Sequence, residues 1–295
     1  SLTHPTARPS KADRPMPRLR ILAYLLLGLA LLAPVSAQQA RPYRILVSND
    51  DGVRDSGLAA LAQVLQAIGE VTIVAPSANQ TGSSQSVNTT EPLLREDITL
   101  PNGMRAVGLA ATPATTVNIA LQHIVVPAPD LVVVGINSGF NVGLSAYLSG
   151  TVGATRMAAM MGVPAIAASR AGAGTYEDLV AAAEEVLGVA RRVKQYRLPP
   201  NTFLNVNVPV VPTGGFKGYV VTAQAMVRAG RETFAESTHP GTGRTLYWSQ
   251  YKEGGVAAPE GTDAWAVQNG FVSVTPMRVG EFDSGLAATV KAWFQ

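Results

Sequence analysis

Arg44-Ile45-Leu46-Val47-Ser48-Asn49-Asp50-Asp51-Gly52 is the stretch on which the fold turns. Its first half is a continuous apolar run with β-branched residues, the pattern of a strand buried on both faces. Such strands occur where helices cover both sides of a parallel sheet. Its second half turns polar at once: an Asn, two adjacent Asp residues, and a Gly that permits a sharp turn. In open parallel sheets the ligand crevice lies outside the carboxyl ends of the strands. Two adjacent carboxylates there repel each other unless a cation sits between them. Carboxylate, hydroxyl and amide oxygens suit a hard divalent ion such as Mg2+ or Mn2+. Asn-Asp-Asp-Gly is also turn-forming anywhere, so the tetrapeptide alone leaves a metal site and a plain turn equally open.

The pattern continues outward from that strand. Residues 56–68 carry Leu58, Leu61, Leu65 and Ile68 at helical spacing. Residues 71–75 read as a second buried strand, stopped by Pro76. A long polar loop fills 76–90, and loops of that length in compact domains are usually functional or mobile. Residues 91–107 read as short irregular strands and 115–124 as a helix. Strands at 131–134, 164–168 and 203–208 alternate with helices at 150–161 and 176–193. This alternation predicts an α/β fold: a Rossmann-like, mostly parallel sheet with helices on both faces. Beyond Gly214 the helical period is lost. Residues up to 263 read as antiparallel strands, with a projecting hairpin around 226–250. A strand at 271–275 and a helix at 286–294 close the chain. The expected organisation is a core over 42–222, a hairpin and oligomerisation region over 223–263, and a closing strand and helix over 264–295.

Composition sets limits. With 47% hydrophobic and 15% charged residues in 295, the chain is not intrinsically disordered. It has no cysteine, which excludes disulfides, zinc–thiolate sites, iron–sulfur clusters and a Cys nucleophile. Its histidines, His4, His123 and His239, are too scattered for a His-rich metal site. The net charge of +3 comes from the start of the chain. Residues 1–37 hold five basic residues and one acid, which leaves 18 basic and 19 acidic residues in the remainder. The body therefore has no general electrostatic pull on a nucleic-acid duplex. Residues 21–32 are almost wholly apolar, follow Arg18 and Arg20, and precede Val35-Ser36-Ala37. That order is a secretory signal peptide cleaved after Ala37, and it predicts export to the periplasm or beyond. The apolar run is too short for a stable membrane anchor.

Three more polar loops fall after strands. They are Asn79-Gln80-Thr81-Gly82-Ser83-Ser84, then Gly135-Ile136-Asn137-Ser138-Gly139-Phe140-Asn141-Val142-Gly143, then Tyr147-Leu148-Ser149-Gly150-Thr151-Val152-Gly153. Ser149 is placed to cap a helix whose first amides, at Gly150, Thr151 and Val152, form an anion site. A cation site facing an anion site across one crevice is what phosphate-ester chemistry needs. A dinucleotide fingerprint, a Walker A sequence, a G-x-S-x-G elbow and an Asp-x-Asp pair are all absent.

These ordered motifs resemble the SurE family of metal-dependent 5′/3′-nucleotidases, some also acting on polyphosphate. The likeness continues through Thr245-Leu246-Tyr247-Trp248, Gly261-Thr262-Asp263 and Val272-Ser273-Val274-Thr275-Pro276, and so covers residues 43–295. The resemblance implies hydrolysis of nucleoside monophosphates or other small phosphomonoesters by activated water. It implies one divalent cation on Asp50, Asp51, Thr81 and Asn137, with Asp50 or Asp51 also orienting or deprotonating the water. It places Asn141, Ser149, Gly150 and Thr151 at the substrate phosphate. It further implies a homodimer or homotetramer assembled through the hairpin and C-terminal segment. The sequence departs from the family pattern at Thr81, where Ser is usual, at Thr115, where Asp is usual, and at Met157, where Glu is usual. Competing readings are a non-catalytic relative that binds nucleotide or metal without turnover, and an unrelated Rossmann-like binding protein. Tyr247 and Trp248 read as assembly contacts, Asp263 as a structural hydrogen-bonding residue, and His123 and His239 as ordinary packing or surface residues.

Overall fold

The computed structural model describes residues 41–172, 174–210, 215–227, 230–253 and 257–294. The leader expected at 1–37, with its cleavage point, lies outside them. The elements in chain order are β1 (Arg44–Ser48), α1 (Ser56–Leu65), β2 (Glu70–Pro76), β3 (Arg95–Thr99), β4 (Arg105–Leu109), α2 (Pro113–Ile119), β5 (Leu131–Ser138), α3 (Gly150–Met160), β6 (Ala165–Arg170), α4 (Tyr176–Tyr196), β7 (Thr202–Val208), β8 (Tyr219–Val221), β9 (Gly230–Thr238), β10 (Thr245–Glu253), α5 (Asp263–Gln268), β11 (Val272–Arg278) and α6 (Ser284–Ala292).

Nine strands form one sheet in the order β3-β4-β2-β1-β5-β6-β7-β11-β8. Six strands, from β4 through β7 in that order, run parallel. β3 and β11 pair antiparallel with β4 and β7, and β8 runs parallel to β11. The sheet is therefore mostly parallel, as the alternating pattern predicts. The alternation along β1 explains its central place. Ile45 and Val47 join one core layer with α1 and α4, and Leu46 joins the other with Val152, Ala154 and Ala158 of α3. Both faces of β1 are buried, so its apolar run has no polar gaps.

The chain leaves β1 for β2 on one side and returns at β5 on the other. The crevice between β1 and β5 is the topological switch point, the standard ligand position of this architecture. α1 is started by Asp55, whose carboxylate accepts from the amides of Gly57 and Leu58. α2 begins at Pro113, two residues before the expected start, because proline suits the first helical turn. A π turn over Ala120–Ile124 continues it, with His123 exposed. Residues 95–99 and 105–109 pair regularly, so the segment expected to be irregular is an ordered edge of the sheet. β5 runs four residues beyond its expected end. Its register with β6 shifts between Val134 and Asn137, a bulge that re-aims the strand's last residues. Gly135, with φ of 142°, permits it: a Cβ there would meet the Ala168 main chain.

β9 and β10 pair over nine residues as a sheet of their own. Phe234, Tyr247 and Trp248 are all more than half exposed on this ribbon. His239 closes its turn, the ring nitrogen Nδ1 accepting from the amides of Gly241 and Thr242. Among the described residues no helix is long and apolar enough to cross a membrane.

Candidate functional site

The ends of β1, β2 and β5 and the start of α3 converge on Asp50. The Asp50 side chain is 2% exposed. Its Oδ1 accepts a short hydrogen bond from the Thr151 hydroxyl, and the Thr151 amide adds a second contact. Burial still pushes the Asp50 carboxyl above its ordinary range, since water that would solvate the charge is excluded. Asp51 is half-buried, and burial, then the neighbouring charges of Asp50 and Asp55, raise it to about 6. The Ser138 amide, 3.4 Å from Oδ2, and the Thr81 hydroxyl oppose that rise.

The loop after β2 is sewn to this pair by main-chain bonds. The Gln80 amide donates to the Asp50 carbonyl at 2.7 Å, and the Val53 amide to the Pro76 carbonyl at 2.7 Å. Thr81 is thereby fixed beside Asp51. Asn137 arrives from the β5 bulge. Its Nδ2 donates to the Gly139 carbonyl at 2.7 Å, which leaves its amide oxygen available as a ligand.

α3 supplies the opposite wall. Ser149 caps it, accepting from the Val152 amide at 3.1 Å. A Cβ on Gly150 would lie 2.8 Å from Asp50 Oδ2 and 2.8 Å from Ser83 Oγ, so the helix approaches the carboxylate only because position 150 has no side chain. Thr151 commits its hydroxyl to Asp50 and is itself fully buried. Asn141 stands apart from the carboxylates. It donates through Nδ2 to Ser169 Oγ at 2.7 Å and through its amide to Asn207 Oδ1 at 2.8 Å, while its carbonyl accepts from Asn205. The structure thus brings Asp50, Asp51, Thr81, Asn137, Ser149, Gly150 and Thr151 to one crevice and ties Asn141 to β6 and β7.

The donor set fits a hard divalent cation. Neither carboxylate is paired with a cationic side chain among the described residues; the pairs Arg54–Glu96 and Arg95–Asp97 lie on the exposed surface. No group of three or more His, Asp or Glu side chains gathers among the described residues, so any ion here is held by two carboxylates and neutral oxygens.

Two residues of this site escaped the sequence reading. Asp55 had a readable signal, an acidic residue just before a helical pattern. Ser83 had none. Its Oγ is buried without a hydrogen-bond partner, and an orphaned hydroxyl costs about 1–3 kcal/mol. The departures from the family pattern also have places. The Thr115 hydroxyl accepts from the Asn88 amide at 2.8 Å and so anchors the far end of the loop that carries Thr81. Met157 packs, half-buried, against the core layer of α2 and α3. Asp263 is fully buried and accepts from the amides of Gly143, Ala225 and Ala264, a structural tie outside the crevice.

The family model described as survival protein SurE matches residues 45–231. A protein named 5′-nucleotidase SurE from Coxiella burnetii (strain Dugway 5J108-111) is 39% identical over 245 residues, covering 80% of this chain and 89% of that protein. One of the same name from Geotalea uraniireducens is 38% identical over 250 residues, covering 85% and 98%. The crystal structure of the SurE protein from Aquifex aeolicus superposes with a TM-score of 0.72 at 35% identity, over 85% of this chain and 100% of that one. With the model matching well over half of its length and the relatives spanned almost end to end, this chain belongs to the SurE family.

Proposed function

We propose that this chain is a divalent-cation-dependent phosphomonoester hydrolase that splits nucleoside monophosphates into nucleoside and phosphate. One observation carries the reading: a carboxylate pair at the switch point, with Asp50 buried and no cationic side chain paired with it among the described residues. The names borne by the relatives supply the substrate class.

Asp50, Asp51, Thr81 and Asn137 would hold one Mg2+ or Mn2+. Bound there, the ion supplies positive charge against the phosphoryl group and acidifies water. The chain's own groups do the rest. Asp50, fixed by Thr151, orients the attacking water. Asp51, more open to the crevice, is the second candidate to orient that water or accept a proton from it. Gly150 lets the start of α3 lie against Asp50, where its dipole favours a phosphoryl group; the Thr151 and Val152 amides, expected to face an anion, are themselves taken by Asp50 and Ser149. The Ser149 hydroxyl accepts from Val152 and retains its own hydrogen to donate to the phosphoryl group. Asn141, held by Ser169, Asn205 and Asn207, is the remaining residue that the family likeness assigns to the phosphate.

The leader would export the enzyme, with cleavage after Ala37, to act on external nucleotides in the periplasm or beyond. The exposed aromatics of β9–β10, with Phe282, Leu286, Trp293 and Phe294 at the C-terminal end, support assembly as a homodimer or homotetramer.

The test uses protein from Gln38 onward, stripped with EDTA. Phosphate release from 5′-AMP, 3′-AMP and p-nitrophenyl phosphate should return with Mn2+ or Mg2+. Asp50→Asn should lower it by about a hundredfold or more. Absence of release with either metal, from folded wild-type protein, rules the reading out.

A further inference from the structure

A cavity of about 430 Å³ opens on the same edge of the sheet as Asp50. Strand direction fixes its place. β6 and β7 run parallel to β5, so the residues that follow them, Ala171, Pro209 and Val210, lie beside the carboxyl end of β5. β11 runs antiparallel to β7 and β8 parallel to β11, so Lys217, just before β8, reaches that edge too. All four line the cavity, and Phe140 lines it from the loop that carries Asn137 and Asn141. That loop is fixed over the strand ends. The Gly139 amide donates to the Arg170 carbonyl at 2.9 Å and the Asn141 amide to Asn207 Oδ1 at 2.8 Å. β7 stands two strand spacings from β5, about 10 Å. A nucleoside extended from a phosphate in the crevice reaches that far.

The walls have a definite chemistry. Phe140, Pro209 and Val210 offer aromatic and apolar surface to a flat ring. Among the described residues no carboxylate lines the cavity, and Lys217 is its one cationic side chain. The Lys217 Nζ stands 5.6 Å from the centre of the Phe271 ring, which is itself stacked on Trp265. The Lys217 amide donates to the Gly270 carbonyl at 3.1 Å, which ties the segment to the turn before β11. The ammonium is thus held at the rim with N–H groups to donate. Asn269, also on the wall, donates through Nδ2 to the Trp265 carbonyl at 2.8 Å and keeps its amide oxygen as an acceptor. A cationic donor and a neutral acceptor beside an apolar wall match a base with a ring carbonyl next to an N–H. Guanine has both, and its O6 and N7 accept from lysine. Adenine carries an amino donor where guanine has O6, and an ammonium is repelled by it.

We propose that this cavity is the nucleobase subsite and that Lys217 makes it prefer guanine over adenine. The inference rests on the phosphomonoesterase reading and deepens it by naming the base of the substrate.

The test takes kcat/KM of the full chain with Mn2+ for 5′-GMP, 5′-AMP and ribose 5-phosphate, which has the phosphate and sugar but no base. Each nucleotide is read as a ratio to ribose 5-phosphate, so a variant that folds poorly lowers both figures and leaves the ratio alone. Wild type should favour 5′-GMP over 5′-AMP by about tenfold. Lys217→Met keeps an apolar stem on the Phe271 ring without the charge, and should lower the 5′-GMP ratio about tenfold. Lys217→Arg, which keeps charge and donors, should hold that ratio within about threefold of wild type. Val210 is 61% exposed, so Val210→Trp can fill the mouth of the cavity without disturbing the core, and should lower the ratio for both nucleotides. Wild type that favours 5′-AMP, or treats the two nucleotides alike, overturns the choice of base. A 5′-GMP ratio unchanged in Lys217→Met or in Val210→Trp overturns the subsite while leaving the phosphatase reading intact. Wild type that hydrolyses none of the three esters overturns that reading as well.

Discussion

The Asp50–Asp51 pair is a local instability that the rest of the fold holds in place. Asp51 is raised from 3.8 to about 6. Between those values the folded protein holds a proton that the unfolded chain has released. The stability from this group is therefore present in full below about pH 4 and lost as pH rises through about 6. Protons and a cation compete for the same oxygens, so Mn2+-induced stabilisation should grow as pH rises from 5 to 7. Melting curves with and without Mn2+ across that range measure it. Asp51→Asn should abolish the Mn2+ effect yet raise the melting temperature of the metal-free protein at pH 7. A gain of about 1 kcal/mol, after screening by solvent at the open edge of Asp51, corresponds to about 2–4 °C. Equal or lower melting in that variant would contradict the account. Adjacent carboxylates and a following Gly were visible in sequence, and so were the hydroxyl of Thr81 and the amide of Asn137. The bulge that aims Asn137 was not, because a register shift depends on the neighbouring strand. Ser83 was also invisible, since one serine in a loop of polar residues carries no sign of its burial.

At the level of elements, the active crevice depends on how closely α3 lies against the loop after β2. Gly153 marks that contact: a Cβ there would collide with the Ser84 main-chain carbonyl. In an exposed helix Gly→Ala gains about 1 kcal/mol. Here the sign should reverse. Gly153→Ala should lose about 1–3 kcal/mol of stability through overpacking, and kcat/KM should fall as Thr81 and Ser83 shift with the loop. Urea unfolding and steady-state kinetics on one preparation check both. A stabilised, fully active variant would show that the loop yields without cost. Helix α3 was legible from its capping serine, β1 and β6 from apolar runs, and β2 and β7 from β-branched and apolar residues broken by Thr72, Asn205 and Asn207. Residues 91–107 were read as short irregular strands; their regular pairing was not legible because the edge strand β3 is exposed on alternate residues and lacks that continuity. The six-residue α5 was missed because one and a half turns give too little period to read.

The molecule as a whole is stitched together by a few buried polar ties between segments distant in sequence. Asp263 is the clearest, joining Gly143 after β5, Ala225 after β8, and α5. Asp263→Ala would leave the amides of Gly143 and Ala225 without their acceptor in a dry site. At about 1–3 kcal/mol for each unsatisfied group, a loss of about 2–5 kcal/mol is expected. Equilibrium unfolding measures it, and a loss under about 0.5 kcal/mol would show that the amides find other acceptors. The alternating sequence foretold the mostly parallel core, whereas the placing of β11 inside the sheet, between β7 and β8, required the three-dimensional structure. One such tie has a practical consequence. The Gln80 amide reaches the Asp50 carbonyl through main-chain atoms alone, so no side-chain replacement in that loop removes either partner, save proline at 80. A combinatorial library that keeps Gly82, Ser84 and Asn88 and varies the residues between them can therefore diversify substrate range while inheriting that tie, which makes this loop the place to begin directed evolution of the enzyme.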